Sequence, residues 1–171
     1  MLRLFPAVLV SLALVACRTS LEDEPDADTS GARVCKVATT APCMMAESQA
    51  SLAWIETNVF APSCGPSGCH NGSATVAGRF DLKNPGMSHD DIVNADSMIE
   101  TSRKLVVPGQ PKQSYLLMMM RQFPPSEMEP TPAVGPPGDI GFMPQNSGGA
   151  TVCCQKLDAV ERWIMAGALN N

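Results

Sequence analysis

Aromatic side chains are scarce in this chain of 171 residues, which has one Tyr, two Trp and five Phe beside eleven Met. Methionine must therefore fill core space that aromatic rings occupy in other proteins. Basic side chains are also too few for a polyanion-binding surface, because 12 Lys and Arg are set against 17 Asp and Glu. No basic stripe could displace counterions from phosphates, so the composition argues against nucleic acid as a partner.

Long apolar runs are missing as well. The apolar run from Leu4 to Ala16 is shorter than the roughly 20 residues that a membrane-spanning helix needs. Because it follows Arg3, it is typical of an export signal, which we place at residues 1–16. The letters LVAC that close it resemble the lipobox of bacterial lipoproteins, which implies that Cys17 is lipidated and anchors the mature protein to a membrane. A secreted protein cut at a neighbouring site is the alternative.

The segment after the signal is polar and acidic, and it shows no apolar periodicity. We interpret residues 17–34 as a lipidated, acidic, disordered tether. Residues 35–47 form a second segment that cysteines tie to the rest of the chain, and residues 48–169 are long enough for one modest domain. An exported, lipid-anchored protein of this kind is expected in the periplasm or at the cell surface.

No strand-like alternation of useful length occurs, so the predicted fold class is mainly α. Three principal helices are predicted from apolar spacing, within residues 47–60, at about 112–121 and at 153–168. A shorter helix is predicted to begin at Ser88, with Asp91 three positions on as in a capping box. Residues 124–149 are dense in Pro and Gly and predict a long irregular loop.

Seven cysteines are present, and lipidation of Cys17 accounts for the odd one. Adjacent cysteines bond each other only through a strained ring, so Cys153 and Cys154 are expected to find partners elsewhere. Cys35 and Cys43 satisfy both, and we predict two disulfides between these pairs without assigning which cysteine joins which. In the chain-entropy model each such bond could contribute about 4–5 kcal/mol.

The remaining cysteines lie in the loop SCGPSGCH, which ends at His70. A Cys-x-x-Cys-His run attaches c-type haem, because each thiol adds to a haem vinyl group and the histidine presents a ring nitrogen to the iron. Here four small residues separate Cys64 from Cys69. A simple disulfide within the loop is the alternative, whereas a zinc site would need a fourth ligand and a thiol nucleophile would need an orienting partner.

Four stretches of the chain, NVFAPSCGPSGCHNG, LVVPGQPKQSYLL, GFMP and LDAVERWIMAGA, occur in that order. Together they resemble the small class I-type cytochrome c domains that bacterial lipoproteins carry, over about residues 48–169. The resemblance implies a cytochrome c-like fold with one haem c, bonded to Cys64 and Cys69 and ligated by His70. It also implies that a methionine on a loop binds the iron from the other side.

Thioether sulfur is soft and, paired with histidine, raises the reduction potential relative to bis-histidine ligation. Met143 in the Pro/Gly-rich loop is the first candidate for this ligand because Pro144 restrains its backbone. Met128 in the same loop is the second candidate. The expected function is therefore electron transfer without a transformed substrate, with other redox proteins as transient partners. A haem-free binding or structural lipoprotein, or a peroxidase or ligand sensor with an open sixth position, are the alternatives.

Overall fold

The computed structural model describes residues 35–66, 69–73, 79–133, 142–144 and 152–171. Its regular elements are helical, and within these ranges strand pairing is limited to three isolated β-bridges. This part of the chain is therefore mainly α, as the sequence predicts. The export signal, the lipidation site Cys17 and the acidic tether lie outside the described residues and stay predictions.

The helices are short in the first two thirds of the chain and long only at the end. A composite helix over residues 52–64, with a π-helical middle, leads to Cys64, and a longer helix closes the domain. The elements are α1 (Ala41–Ala46), α2 (Leu52–Ile55), a π-helix (Glu56–Phe60), α3 (Ala61–Cys64), α4 (Ser88–Ile92), a 3₁₀ turn (Pro111–Gln113), α5 (Tyr115–Met119), a second 3₁₀ turn (Pro125–Glu127) and α6 (Cys154–Met165).

The terminal helix α6 supplies the centre of the core. Trp163 and Ile164 are fully buried, and the indole N–H of Trp163 donates a hydrogen bond to the carbonyl of Leu169 at 2.8 Å. That bond removes the cost of burying the indole donor. The sequence predicted this helix, and the structure packs it against the composite helix. The other main contributors to the cluster from these two helices are Leu52, Ile55, Val59, Phe60, Leu157 and Val160.

Two disulfides fasten the N-terminal segment to the start of α6. Cys35 is bonded to Cys154, and Cys43 is bonded to Cys153, with Cα–Cα separations of 5.2 and 6.3 Å. The sequence predicts that Cys35 and Cys43 are bonded to Cys153 and Cys154, and this prediction is confirmed. The structure adds which cysteine meets which.

Arg162 closes the end of α1 from the side of α6. A helix of six residues leaves its last carbonyls without partners inside the helix. The guanidinium of Arg162 donates to the carbonyl of Ala46 at 2.6 Å and to that of Gln49 at 3.1 Å. Because a cation is also favourable at a helix C-terminus, this contact holds α1 against α6 in addition to the disulfides.

The start of α4 differs from the sequence prediction. Ser88 was expected to be the N-cap, but Met87 occupies that position and Ser88 is already helical. Both the backbone N–H and the hydroxyl of Ser88 donate to the buried carboxylate of Glu56, at 3.3 and 2.5 Å. The N–H of Gly86 donates to the same carboxylate at 2.7 Å. A side chain from the π-helix therefore caps α4, and a local capping box is not needed.

The helix predicted at residues 112–121 is broken into the first 3₁₀ turn and the short helix α5. The break occurs at Ser114, whose backbone is extended with φ −84° and ψ 104°. Its buried hydroxyl accepts a hydrogen bond from the N–H of Val107 at 2.9 Å and donates to the carbonyl of Gln110 at 3.0 Å. These bonds compete with helix formation, as serine hydroxyls commonly do.

Candidate functional site

Cys64 ends α3 and is only 9% exposed, as part of the main core cluster. The next residue, Gly65, donates its N–H to the carbonyl of Phe60 at 3.2 Å. A Cβ at position 65 would lie 2.8 Å from Cβ and 3.0 Å from Cα of Lys83, which is too close for any other residue type without a backbone shift. Glycine is therefore required here, because another segment of the chain packs directly on the loop.

The backbone of the cysteine loop returns to its own starting point. The N–H of Cys69 donates to the carbonyl of Pro66 at 3.2 Å, and the N–H of His70 donates to the carbonyl of Cys64 at 3.1 Å. These two bonds bring the described ends of the loop together, and residues 67 and 68 lie outside the described part. The structure brings Cys64, Cys69 and His70 together in one loop.

A short antiparallel pairing fixes the backbone at His70. The N–H of Leu82 donates to the carbonyl of His70 at 3.0 Å, and Asn71 forms a β-bridge with Asp81. The ring of Phe80 is stacked beside the imidazole, with centroids 6.2 Å apart and planes inclined by 30°. The sequence did not point to Phe80, since no motif or periodicity relates it to the cysteine loop.

Asp81 holds the second half of this pairing in a turn. Its carboxylate accepts hydrogen bonds from the side chain and N–H of Asn84, both at 2.9 Å, and from the N–H of Lys83 at 3.1 Å. These bonds, led by those from Asn84, hold the pKa of Asp81 below its usual range. The N–H of Asp81 in turn donates to Asp91 at 2.7 Å, so the turn is also attached to α4.

The two thiols of the loop have different surroundings. Neither Cys64 nor Cys69 forms a disulfide, and Cys64 is buried while Cys69 is exposed. Burial, together with the nearby charge of Cys69, raises the pKa of Cys64 from its ordinary value of 9.0 to about 12. Burial therefore keeps the Cys64 thiol in its protonated, less reactive form at neutral pH.

This difference predicts selective alkylation of the haem-free protein. Iodoacetamide at neutral pH should modify Cys69 and spare Cys64, because the thiolate is the reactive form and only Cys69 is accessible. Peptide mass spectrometry after a short reaction measures the two sites. In denaturant, where burial is lost, both should react at similar rates. Equal reaction of both thiols under native conditions would contradict the burial of Cys64.

The two candidate methionines lie in a second apolar cluster. Met128 is 2% exposed and packs with Tyr115, Met118 and Met119. Met143 is half-buried against the same cluster, and its N–H donates to the carbonyl of Met119 at 2.8 Å. Both thioethers are thus brought to one place, whereas Cys64 belongs to the main core cluster. Phe123 contacts both clusters and connects them.

The cysteine loop offers donor types that a covalently held haem would use. Within the described ranges, no group of three or more His, Cys, Asp or Glu side chains is arranged to hold a metal ion. A structural zinc ion needs four such ligands. Haem needs only two unbonded thiols, an adjoining imidazole and one further axial donor, and Cys64, Cys69, His70 and the methionine cluster provide these types.

No protein-family model, curated protein or solved structure matches this chain. In the part of the chain that the structure describes, no helix is long and apolar enough to span a bilayer. The assignment of function therefore depends on the chemistry and geometry of the cysteine loop and the methionine cluster.

Proposed function

We propose that the chain is a membrane-anchored monohaem c-type cytochrome that transfers electrons. One observation carries the proposal: Cys64 and Cys69 are unbonded thiols beside His70, while the other four described cysteines are used in two disulfides. Exported proteins meet oxidising conditions, in which two neighbouring thiols normally pair. Attachment to haem is the use that suits a Cys-x4-Cys-His loop with both thiols unpaired.

In this proposal each side chain has a separate role. Cys64 and Cys69 would hold the haem covalently, because each S–H bond can add across one vinyl group, with the sulfur going to one carbon and the hydrogen to the other. His70 offers a ring nitrogen to the iron, and Phe80 limits the directions in which that imidazole can turn. Met143 is the proposed second axial ligand. The haem iron, once bound, supplies a one-electron couple, and the ligand pair sets its potential.

The remaining features support a location outside the cytoplasm. The disulfides Cys35–Cys154 and Cys43–Cys153 are compatible with an extracytoplasmic protein. Lipid on Cys17 would hold it at a membrane in the periplasm or at the cell surface. The exposure of Cys69 favours electron exchange with other redox proteins near this edge of the loop, through small and transient contacts.

The decisive experiment is a haem stain after expression in a host with cytochrome c maturation. The protein is run on a denaturing gel, where only covalently bound haem remains with the chain. Wild-type protein should stain, and the variant Cys64→Ser with Cys69→Ser should not. A matched control is Met165→Leu, which changes an exposed side chain far along α6 and should stain like the wild type.

An unstained wild-type protein would overturn the proposal. Mass spectrometry of that protein under non-reducing conditions would then identify a Cys64–Cys69 disulfide, if the chain is a haem-free binding or structural lipoprotein. A stained protein with an open sixth position would instead bind carbon monoxide without any substitution, as a peroxidase or ligand sensor does.

A further inference from the structure

The segment 97–103 folds into a compact loop beside the methionine cluster. The N–H of Ser97 donates to the carbonyl of Arg103 at 2.8 Å, and the N–H of Arg103 donates to the carbonyl of Glu100 at 2.9 Å. The buried hydroxyl of Ser97 accepts from the N–H groups of Ile99 at 3.2 Å and Glu100 at 3.3 Å. These four hydrogen bonds fix the backbone of the loop, and we call residues 97–103 the platform.

The platform carries a buried ion pair. The Nε atom of Arg103 lies 3.2 Å from a carboxylate oxygen of Glu100, and the two side chains are 5% and 10% exposed. Removing two charges from water is costly, so a chain keeps such a pair where other polar groups also need its hydrogen bonds. The hydrogen bonds of Glu100 and Arg103 to other segments show which polar groups need the pair.

Both members of the pair reach the loop that carries the candidate methionines. Arg103 donates from Nη2 to the carbonyl of Pro130, and Glu100 accepts a hydrogen bond from the N–H of Ala133 at 3.2 Å. Met128 lies two residues before Pro130. The pair thus binds the backbone on the C-terminal side of Met128 at two points, in a segment that is otherwise irregular.

The same pair also lies beside the methionine cluster. Tyr115 is fully buried in that cluster, and Ile99 of the platform packs against it. Burial and the carboxylate of Glu100 raise the pKa of Tyr115, which places the charge of the pair close to the phenol. The platform therefore contacts both the loop backbone and the side chains that surround the thioethers.

We propose that the Glu100–Arg103 pair positions residues 128–133 and, through the methionine cluster against which Met143 packs, the thioether that binds the iron. The inference rests on the proposed haem function for its last step only. The pair does not touch the reacting atoms, so it is a positioning pair. Its loss should loosen residues 130–133 and change the axial ligation without removing the haem from Cys64 and Cys69.

The test uses a double variant that separates positioning from stability. Glu100→Leu with Arg103→Met replaces the pair by apolar side chains, a change that is often neutral for stability because no buried charge is left alone. The matched control is Asp96→Leu with Lys104→Met, which removes a neighbouring exposed ion pair at 2.6 Å with side chains 64% and 45% exposed. Each single variant of the buried pair is expected to be less stable than the double variant.

Four measurements are made on wild type, double variant and control. Hydrogen exchange of the Ala133 amide should become at least tenfold faster in the double variant, while the urea midpoint stays near that of the wild type. The reduction potential and the charge-transfer band of thioether-bound ferric haem should change in the double variant and not in the control. The single variant Glu100→Leu, which keeps Arg103, should show the same altered band as the double variant.

Unchanged exchange at Ala133 in a folded double variant would overturn the proposal. Faster exchange with an unaltered potential and band would also overturn it, because the pair would then anchor the loop without positioning the ligand. If the wild type binds no haem, the stained gel reveals that failure first. Exchange in the haem-free chain then still decides whether the pair anchors the loop.

Discussion

Removing both disulfides should lower the free energy of unfolding by about 7 kcal/mol, whereas removing either one alone should lower it by only about 3 kcal/mol. The bonds span 119 and 110 residues, so a single bond in a chain without the other closes a long loop worth about 4–5 kcal/mol. Once one bond is present, the other closes a ring of only about ten residues, because its cysteines lie close along the sequence to those already joined. The bonds therefore act as partial substitutes for each other.

Urea titration measures this non-additivity in paired serine variants. The variants are Cys35→Ser with Cys154→Ser, Cys43→Ser with Cys153→Ser, and all four together. A domain of this size is typically stable by about 5–15 kcal/mol, so the fourfold variant should be close to unfolded at room temperature. Cys69→Ser in the haem-free protein is the control, and its midpoint should not move because that thiol is exposed and unbonded.

A loss of about 4–5 kcal/mol in each single-bond variant, with about twice that loss in the fourfold variant, would contradict the shared-loop account. Such additivity would mean that each bond stabilises the native state through its own local contacts. One source would be the packing of Cys43 and Cys153, which are both at least nine-tenths buried. The chain-entropy model attributes the effect to the unfolded chain instead.

The sequence could predict features that depend on local pattern or on simple pairing. The helix α6 follows from apolar side chains at helical spacing, with Trp163 and Ile164 on its buried face. That Cys35 and Cys43 are bonded to Cys153 and Cys154 follows from the number of cysteines and from the strain of bonding Cys153 to Cys154, but which cysteine joins which does not. Neither inference requires knowledge of how distant segments meet.

The features that were missed depend on contacts between distant segments. The carboxylate of Glu56 caps α4 by accepting a hydrogen bond from the N–H of Gly86, thirty residues further along the chain. No local sequence signal marks this contact. The β-bridge between Asn71 and Asp81 brings Phe80 beside His70, and the sequence between these two residues has no regular apolar periodicity. The hydroxyl of Ser114 breaks a helix that apolar spacing favours, since its hydrogen bonds to the nearby backbone of Val107 and Gln110 outweigh a weak helical preference.

Met143→Ala should open the iron to carbon monoxide and lower the reduction potential, if haem is attached as proposed. A bound thioether blocks the sixth position and stabilises the ferrous state, so its removal exposes the iron and favours the ferric state. The half-buried position of Met143 means that the substitution leaves little cavity behind. Carbon monoxide binding to the reduced protein is measured from its absorption spectrum, and the potential by redox titration.

Met128→Ala is the matched control and should give the opposite pattern. Met128 is 2% exposed between Tyr115, Met118 and Met119, so truncation leaves a cavity and should cost about 2–5 kcal/mol of stability. Carbon monoxide should still be excluded, because Met143 keeps its place at the backbone of Met119. If Met128→Ala opens the iron while Met143→Ala does not, the axial ligand is Met128. The loop that the Glu100–Arg103 pair holds would then carry the ligand itself.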